Sequence, residues 1–298
     1  NPDEMSDMQK ARKRLVFDEL FRIQLLLIAR KLRLESSVEG IGHDFTGDYV
    51  AKLFSSLPFE PTNAQKRVID EILSDLRSSS PMHRLLQGDV GSGKTLVAVA
   101  GLLSVVEGNK QGAIMAPTEV LAEQHYLGIA KMLEGFMVQD TDTLLGERSL
   151  KIALLTSQTA GKESQAIREG LSKGSIDIVV GTHSLIQDSV VFSDLGLTVV
   201  DEQHRFGVDQ RAALRAKGKE TKIPDVLVMT ATPIPRTLAI TYHGDMDLSI
   251  IDELPKHRKL VITKKIGPER LKNVYNFMNR IMKILQEPTH QTCSVTVE

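Results

Sequence analysis

Residues 85–95 constrain the fold more than any other part of the chain. They read Leu-Leu-Gln-Gly-Asp-Val-Gly-Ser-Gly-Lys-Thr, so an apolar strand end leads into the spacing Gly-x-x-x-x-Gly-Lys-Thr, and residues 96–106 then have the apolar density of a helix. Glycines in such a turn let successive backbone N–H groups point at phosphate oxygens, and the following helix N-terminus adds positive potential. The stretch therefore predicts a phosphate-binding loop between a strand and a helix.

Each residue of this loop has an expected place around a nucleoside triphosphate. Lys94 would neutralise the β and γ phosphate oxygens, and the hydroxyl of Thr95 would complete the oxygen shell of Mg²⁺. The predicted nucleotide-binding residues of the loop are Gly88, Asp89, Val90, Gly91, Ser92, Gly93, Lys94 and Thr95. The alternative is a glycine-rich turn that matches by chance, and the loop alone does not name a reaction.

Short apolar runs alternate with helix-like or loop segments along the rest of the chain. The predicted strands are residues 112–116, 152–155, 176–180, 197–200 and 226–229. Near-continuous apolar strands that alternate with helices predict an α/β fold, in which a parallel sheet is covered by helices on both faces. Ligands of such sheets bind at the carboxyl ends of the strands, and the polar motifs of this chain follow those ends.

A pair of acids, Asp201 and Glu202, directly follows one predicted strand and continues into Gln203 and His204. Such a pair can divide the work of hydrolysis, because Asp201 would hold Mg²⁺ through its water shell while Glu202 orients and polarises the attacking water. The alternative is an exposed acidic turn. His204 would sense the γ-phosphate or would be a structural histidine, and its context favours the first role.

Hydroxyl groups follow other strand ends. Thr230 and Thr232 come after the strand expected beside the acid pair, where they could pass a hydrogen-bond change from the nucleotide to a second site. Thr118, and Thr182 with its neighbour His183, suit contacts to the phosphates of a nucleic-acid strand. Each of these signals is weak alone, and their order along the chain is informative.

The segment before the loop contains one further candidate. Residues 36–61 are predicted to be loop-rich, and Thr62 then caps a helix whose apolar residues share one face. Gln65, in the first turn of that helix, could recognise the adenine edge because one amide donates and accepts at once. Residues 139–148 are predicted to form a polar surface insertion.

The composition excludes several classes of protein. Among 298 residues, 41% are hydrophobic and 25% charged, which is ordinary for one large or two medium water-exposed domains. The formal net charge of −1 excludes a uniformly basic nucleic-acid binder. A single cysteine, Cys293, excludes an internal disulfide and favours a reducing compartment, and no Cys/His cluster suggests zinc. The best apolar run, residues 23–28, is too short to span a membrane.

Two segments are locally basic. Residues 10–34 are predicted to form one long helix with many lysines and arginines, and residues 256–283 contain nine lysines and arginines against one acid. A solvated basic face and a face that follows a phosphate backbone are both compatible with this pattern.

The motifs together resemble a known family. In chain order they are Gln-Gly-Asp-Val-Gly-Ser-Gly-Lys-Thr, Ala-Pro-Thr-Glu-Val-Leu-Ala-Glu-Gln-His, Val-Gly-Thr-His-Ser-Leu-Ile-Gln, Asp-Glu-Gln-His-Arg-Phe-Gly-Val and Thr-Ala-Thr-Pro-Ile-Pro-Arg-Thr-Leu-Ala. This series resembles superfamily 2 helicases, and within them the RecG family of bacterial branched-DNA helicases. The resemblance implies a RecA-like P-loop NTPase lobe, ATP and Mg²⁺ as cofactors, and ATP-driven translocation on DNA in fork reversal, Holliday junction branch migration, recombination and repair.

The same resemblance implies roles for single residues and a cellular place. Gln65 falls in the adenine-reading motif, while Lys94, Thr95, Asp201 and Glu202 take the hydrolytic roles given above. The implied partner is branched or forked DNA, and the implied setting is the bacterial cytoplasm with the nucleoid, as a monomer. An organelle is not excluded.

The expected domain organisation is residues 1–56 as a linker helix and loop, 57–255 as the first motor lobe, and 256–298 as the start of a second lobe. RecG-like proteins also have a wedge domain and a complete second lobe, so the chain is expected to be a fragment. Because the arginine finger of such motors comes from the second lobe, we expect this chain to bind ATP and Mg²⁺ but to hydrolyse slowly and not to unwind DNA.

Three other readings stay open. The transcription-repair coupling translocase shares two of the motifs, although Gln203, the Gln87-Gly88-Asp89 entry to the loop and residues 251–255 are more similar to RecG. A P-loop kinase would need a phosphoryl acceptor site and a lid, which the sequence does not show. A non-catalytic nucleotide-binding module is compatible with the loop alone.

Overall fold

The computed structural model describes residues 5–37, 39–140, 146–201, 222–232, 246–255 and 270–285. The chain divides into two compact units, Asn1–Lys256 and His257–Glu298. The described element of the second unit is a helix, Leu271–Leu285, named α7 here. In the described residues, no helix is long and apolar enough to cross a membrane.

The first unit alternates helices and strands. Its helices are α1 (Met5–Ser37), α2 (Asp48–Ser56), α3 (Asn63–Arg77), α4 (Lys94–Glu107), α5 (Glu119–Met132) and α6 (Gly161–Ser172), with a 3-10 turn at His183–Ile186. Its strands are β1 (Glu39–Gly40), β2 (His83–Gly88), β3 (Gln111–Met115), β4 (Met137–Gln139), β5 (Glu147–Ser149), β6 (Ile152–Leu155), β7 (Ile178–Gly181), β8 (Leu195–Asp201), β9 (Lys222–Ile223), β10 (Asp225–Thr230) and β11 (Asp247–Ile251).

Seven strands form one sheet in the order β11-β2-β10-β8-β3-β7-β6, and every neighbouring pair is parallel. The carboxyl ends of these strands therefore share one edge, where the loops that carry the predicted motifs emerge. Two small pairs, β1 with β9 and β4 with β5, lie outside this sheet. The predicted α/β fold with a parallel sheet is confirmed, as are the five strand predictions and the long N-terminal helix.

Both faces of the sheet are buried. Along β10, Leu227 and Met229 join one apolar cluster while Val226 and Val228 join the other, as the two-residue period of a strand requires. Helices α3 and α4 cover the first face, and residues of α6 pack on the second. The helix α4 is buried from Leu96 to Val106, because it lies between the sheet and the helices α2 and α3.

The prediction that residues 36–61 are mainly loop is wrong for α2. The N-cap of this helix, Gly47, has no side chain to bind the open backbone N–H groups. The carboxylate of Glu107, the last residue of α4, accepts hydrogen bonds from the backbone N–H groups of Gly47 and Asp48 at 3.1 Å and of Tyr49 at 3.3 Å. The cap thus comes from a residue about sixty positions away in sequence, so no local sequence pattern predicts the start of α2.

A buried polar pair ties the segment before α2 to the sheet. Nε2 of His43 lies 2.9 Å from Oδ2 of Asp225, the first residue of β10, and Oδ1 of Asp225 accepts from the backbone N–H of Met82 at 2.5 Å. Both side chains are almost fully buried. Burial raises the pKa of Asp225 from 3.8 to about 6, although the hydrogen bond from His43 opposes the rise.

Residues 139–148, predicted as a polar insertion, begin and end in the antiparallel pair β4 and β5, and residues 141–145 lie outside the described part. Arg148 in β5 forms a two-point ion pair with Asp177, with distances of 2.6 and 2.7 Å, and so fastens the hairpin to the main sheet.

Candidate nucleotide-binding site

The phosphate loop lies where it was predicted, between β2 and α4. Gly91 and Gly93 have φ angles of 78° and 86°, a left-handed conformation that favours glycine. A Cβ at Gly88 would lie 2.5 Å from the hydroxyl of Ser92, and one at Gly93 would collide with the amide nitrogen of Gln65. The concave backbone therefore exists because side chains are absent from these positions.

The loop is built around polar groups that a phosphate can use. Nζ of Lys94 donates to the carbonyl oxygens of Gly88 at 2.7 Å and Asp89 at 3.1 Å, so the ammonium group lies inside the loop. Ser92 is 1% exposed, and its hydroxyl has no hydrogen-bond partner among the described residues. An ammonium group and an unpaired hydroxyl at the N-terminus of a helix are groups that suit a polyphosphate.

The oxygen donors of the site fit Mg²⁺ carried by a nucleotide. Thr95 is half-buried in the first turn of α4, and Asp201 ends β8. Within the described ranges, no group of three or more His, Cys, Asp or Glu side chains could hold a metal ion alone. A site with one hydroxyl and one carboxylate suits Mg²⁺, because this ion keeps several waters and binds largely through substrate phosphates.

Strand register places Asp201 near the loop. Met229 of β10 is the neighbour of Asp201 on one side, and Thr230 of β10 is the neighbour of Gln87 on the other. The strand β10 alone separates β2 from β8, so the two strand ends are about 10 Å apart at the usual spacing. That span suits a triphosphate and its metal between the loop and the carboxylate.

His125 is a neighbour of Asp201 that the sequence reasoning missed. Its Nε2 lies 2.7 Å from Oδ2 of Asp201, and both side chains are about 14% exposed. The residue lies on α5 three positions after Ala122 and four before Ile129, both fully buried. The signal in the sequence that could have indicated this contact is a histidine spaced to lie on the packed face of the helix.

Gln65 lies against the phosphate loop. Its side-chain oxygen accepts from the backbone N–H of Thr62 at 2.8 Å in a capping box, and its Nε2 donates to the carbonyl of Ser92 at 2.8 Å. Gln65 is 2% exposed. In this structure the amide oxygen is already paired, so the predicted contact with adenine would have to compete with the cap of α3.

A cavity of about 210 Å³ adjoins the loop on the side of β11. Its lining includes Gly88, Asp89, Ala231 and Ile251, and also Glu253. The carboxylate of Glu253 accepts from the backbone N–H of Ala64 at 3.2 Å, so the same acid holds the start of α3 beside the loop.

The residues predicted to couple the nucleotide to a second site, and those predicted to contact DNA, differ in how exposed they are to solvent. The hydroxyl of Thr230 is buried and accepts from the backbone N–H of Thr232 at 3.2 Å, while Thr232 is exposed. Thr118 is half-buried and caps α5 by accepting from the backbone N–H of Leu121 at 3.3 Å. Thr182 is only 2% exposed, so the exposed group at its turn is His183.

Glu202, Gln203 and His204 lie outside the described residues, so their predicted roles stay predictions.

Comparison with known proteins places the chain in a family. A model of the DEAD/DEAH box helicase family matches residues 62–240. The ATP-dependent DNA helicase RecG of Bacillus subtilis is 45% identical over 282 residues, which are 95% of this chain and 39% of that protein. RecG of Synechocystis is 47% identical over 94% of this chain and 32% of its own length.

Solved structures agree with this placement. A structure of RecG bound to a three-way DNA junction has a TM-score of 0.80 and 40% identity over 95% of this chain and 36% of that chain. The DNA-bound helicase MrfA, at 15% identity with a TM-score of 0.54 over 83% of this chain and 36% of its own, shares the fold alone. The chain therefore spans about two fifths or less of the length of its similar relatives. On the match across residues 62–240, it belongs to the DEAD/DEAH box helicase family.

Proposed function

We propose that this chain forms the ATP-binding motor lobe of an ATP-dependent helicase that acts on branched DNA. The observation that carries the proposal is the phosphate loop with Asp201 two strands away at the same sheet edge. The similar proteins are named ATP-dependent DNA helicase RecG, and one similar structure holds a three-way DNA junction. We extend both properties to this chain, with action on chromosomal DNA in the bacterial cytoplasm.

The residues of the site divide the chemistry of ATP hydrolysis. Backbone N–H groups of the loop and Lys94 hold the β and γ phosphates. Gln65, which donates to the carbonyl of Ser92 in the loop, would recognise the base. When bound, Mg²⁺ neutralises charge that develops on the phosphates; Thr95 and Asp201 would hold it. Glu202 accepts a proton from the attacking water, and His204 and Gln203 report the state of the γ-phosphate.

The DNA would lie along the loops that follow β3 and β7. Thr118 is the N-cap of α5 in the loop after β3, and His183 is exposed in the turn after β7. The strands β3 and β7 are neighbours in the sheet. A helix N-terminus and an exposed imidazole suit phosphate oxygens and do not recognise base sequence. We infer that the chain binds DNA through the backbone and that Thr230 and Thr232 couple this surface to the nucleotide.

The test combines DNA binding with ATP turnover. The chain is titrated with a three-way junction, a duplex and a single strand of equal length, and ATP hydrolysis is measured with each. The proposal expects tightest binding and the largest stimulation with the junction, and a loss of turnover in Glu202→Gln. Equal weak binding to all three, with no stimulation, would refute the branched-DNA part. Nucleotide binding without turnover on any DNA would favour a non-catalytic module.

A further inference from the structure

The contact between His125 and Asp201 joins two parts of the molecule with different expected ligands. Asp201 belongs to the nucleotide site, whereas His125 belongs to α5, whose first residue follows the DNA-facing Thr118. The two residues are 76 positions apart in sequence and meet only in the fold. Among the residues that the structure describes, His125 is the single hydrogen-bond partner of the Asp201 carboxylate.

The contact leaves one carboxylate oxygen for another ligand. Nε2 of His125 lies at 2.7 Å from Oδ2, which leaves Oδ1 for a metal-bound water or the metal. A hydrogen bond to the second oxygen fixes the rotation of a metal-binding carboxylate, and loss of such a bond typically weakens metal affinity.

The helix α5 can transmit a displacement from its start to His125. Ala122 and Ile129 are fully buried in the core, and α5 packs on β6 and β7. Glu119 in the first turn accepts from the backbone N–H of Ser157, two residues after the end of β6, at 3.1 Å. His125 lies seven residues from Thr118, about 10 Å along the helix axis. A displacement of Thr118 that moved α5 as one packed body would therefore also move His125.

We infer that His125 is a positioning residue that orients Asp201 for Mg²⁺ and couples metal binding to DNA contact at the start of α5. This inference rests on the proposed function, because it requires a bound nucleotide and DNA at Thr118. It adds a residue outside the loop and outside the acid pair. It also gives α5 a role beyond packing, since the helix links the two ligands directly.

The experiment uses electron paramagnetic resonance to measure the affinity of the chain for Mn²⁺ in the presence of saturating ATP. Mn²⁺ serves as a spectroscopic substitute for Mg²⁺. His125→Ala is expected to weaken Mn²⁺ affinity on the order of tenfold. Nucleotide affinity in EDTA should stay within about twofold, because the loop and Lys94 hold the phosphates without the metal. His125→Gln, whose amide N–H can donate to the same oxygen, should restore most of the Mn²⁺ affinity.

Ile129→Val is the matched control, because it loosens the same helix without touching Asp201. It should lower the melting temperature and leave Mn²⁺ affinity unchanged. Addition of a three-way DNA junction should change Mn²⁺ affinity in the wild-type chain, in Ile129→Val and in His125→Gln, but not in His125→Ala.

Three results would decide against the inference. Equal Mn²⁺ affinity in wild type and His125→Ala would overturn the positioning role. An equal loss in His125→Ala and Ile129→Val would show that His125 only packs the helix, and an unchanged DNA effect in His125→Ala would overturn the coupling. Failure of the proposed function looks different, because it appears in the wild-type chain before any variant is tested: the chain would bind no ATP, or would bind the three-way junction no more tightly than a duplex or a single strand.

Discussion

The buried pair of His43 and Asp225 predicts an unusual pH dependence of stability. Asp225→Asn keeps the shape of the side chain: its oxygen can still accept from the backbone N–H of Met82, and its amide can donate to His43. The substitution removes only the ionisable group. The change therefore tests what burial of that carboxylate does to the free energy of unfolding.

The sign follows from the direction of the pKa shift. The pKa of Asp225 is about 6 in the folded chain and 3.8 in the unfolded chain, so between these values the folded state holds a proton that the unfolded state has lost. The Asp225 contribution to stability is thus present at low pH and is lost as the pH rises through 6. A shift of this size corresponds to about 3 kcal/mol, of which roughly half is lost between pH 5 and 7.5.

Denaturant unfolding of wild type and Asp225→Asn at several pH values between 5 and 7.5 checks this. The stability of the variant relative to wild type should rise by roughly 1.5 kcal/mol across the range. Asp188→Asn, an exposed carboxylate, serves as the control and should give a difference that does not change with pH. A flat difference for Asp225→Asn as well would refute the reasoning that burial dominates at this site.

Three other predictions address the cap, the loop and the acid pair. Glu107→Ala should lower the free energy of unfolding by about 1–2 kcal/mol, because the N-terminus of α2 loses its only carboxylate cap within the described residues. Denaturant unfolding measures this loss, and Glu107→Gln should lose less stability. Gly93→Ala should abolish ATP-analogue binding in a fluorescence titration, because the φ of 86° at this position disfavours alanine and the new Cβ would displace Gln65. Retained affinity for the analogue would contradict the role of Gly93. Glu202→Gln should bind the analogue like wild type but lose ATP hydrolysis in a phosphate-release assay, and unchanged turnover would remove Glu202 from its role.

Local signals predicted the framework of the fold well. The phosphate loop, the helix start at Thr62 and the five predicted strands each have a short pattern that tertiary structure did not override. Continuous apolar runs such as residues 197–200 are typical of strands buried on both faces, and the parallel sheet confirms that interpretation.

The missed features depend on contacts between distant residues. The strand β11 reads Asp-Leu-Ser-Ile-Ile, and its buried Ser249 accepts a hydrogen bond at 2.8 Å from Arg84 of the neighbouring strand. The cap of α2 comes from Glu107, and the partner of Asp201 comes from α5. A sequence pattern records spacing along one segment, so it cannot show which distant side chain completes a buried polar group.

Gln65 and Thr182 show the same limit at the candidate site. Their residue types suited adenine and phosphate, but the fold buries both and pairs the Gln65 oxygen within its own helix start. Burial depends on neighbouring elements, and a single residue type in a motif does not reveal it.

The most direct test of the central claim is the affinity of the chain for ATP with Mg²⁺, measured by calorimetry for wild type and Lys94→Ala. The nucleotide site described above predicts binding by the wild-type chain and a loss of about tenfold or more in the variant, since one charge-assisted contact to the phosphates is removed. Equal affinities, or no binding by the wild-type chain, would contradict the claim that residues 88–95 hold a nucleoside triphosphate.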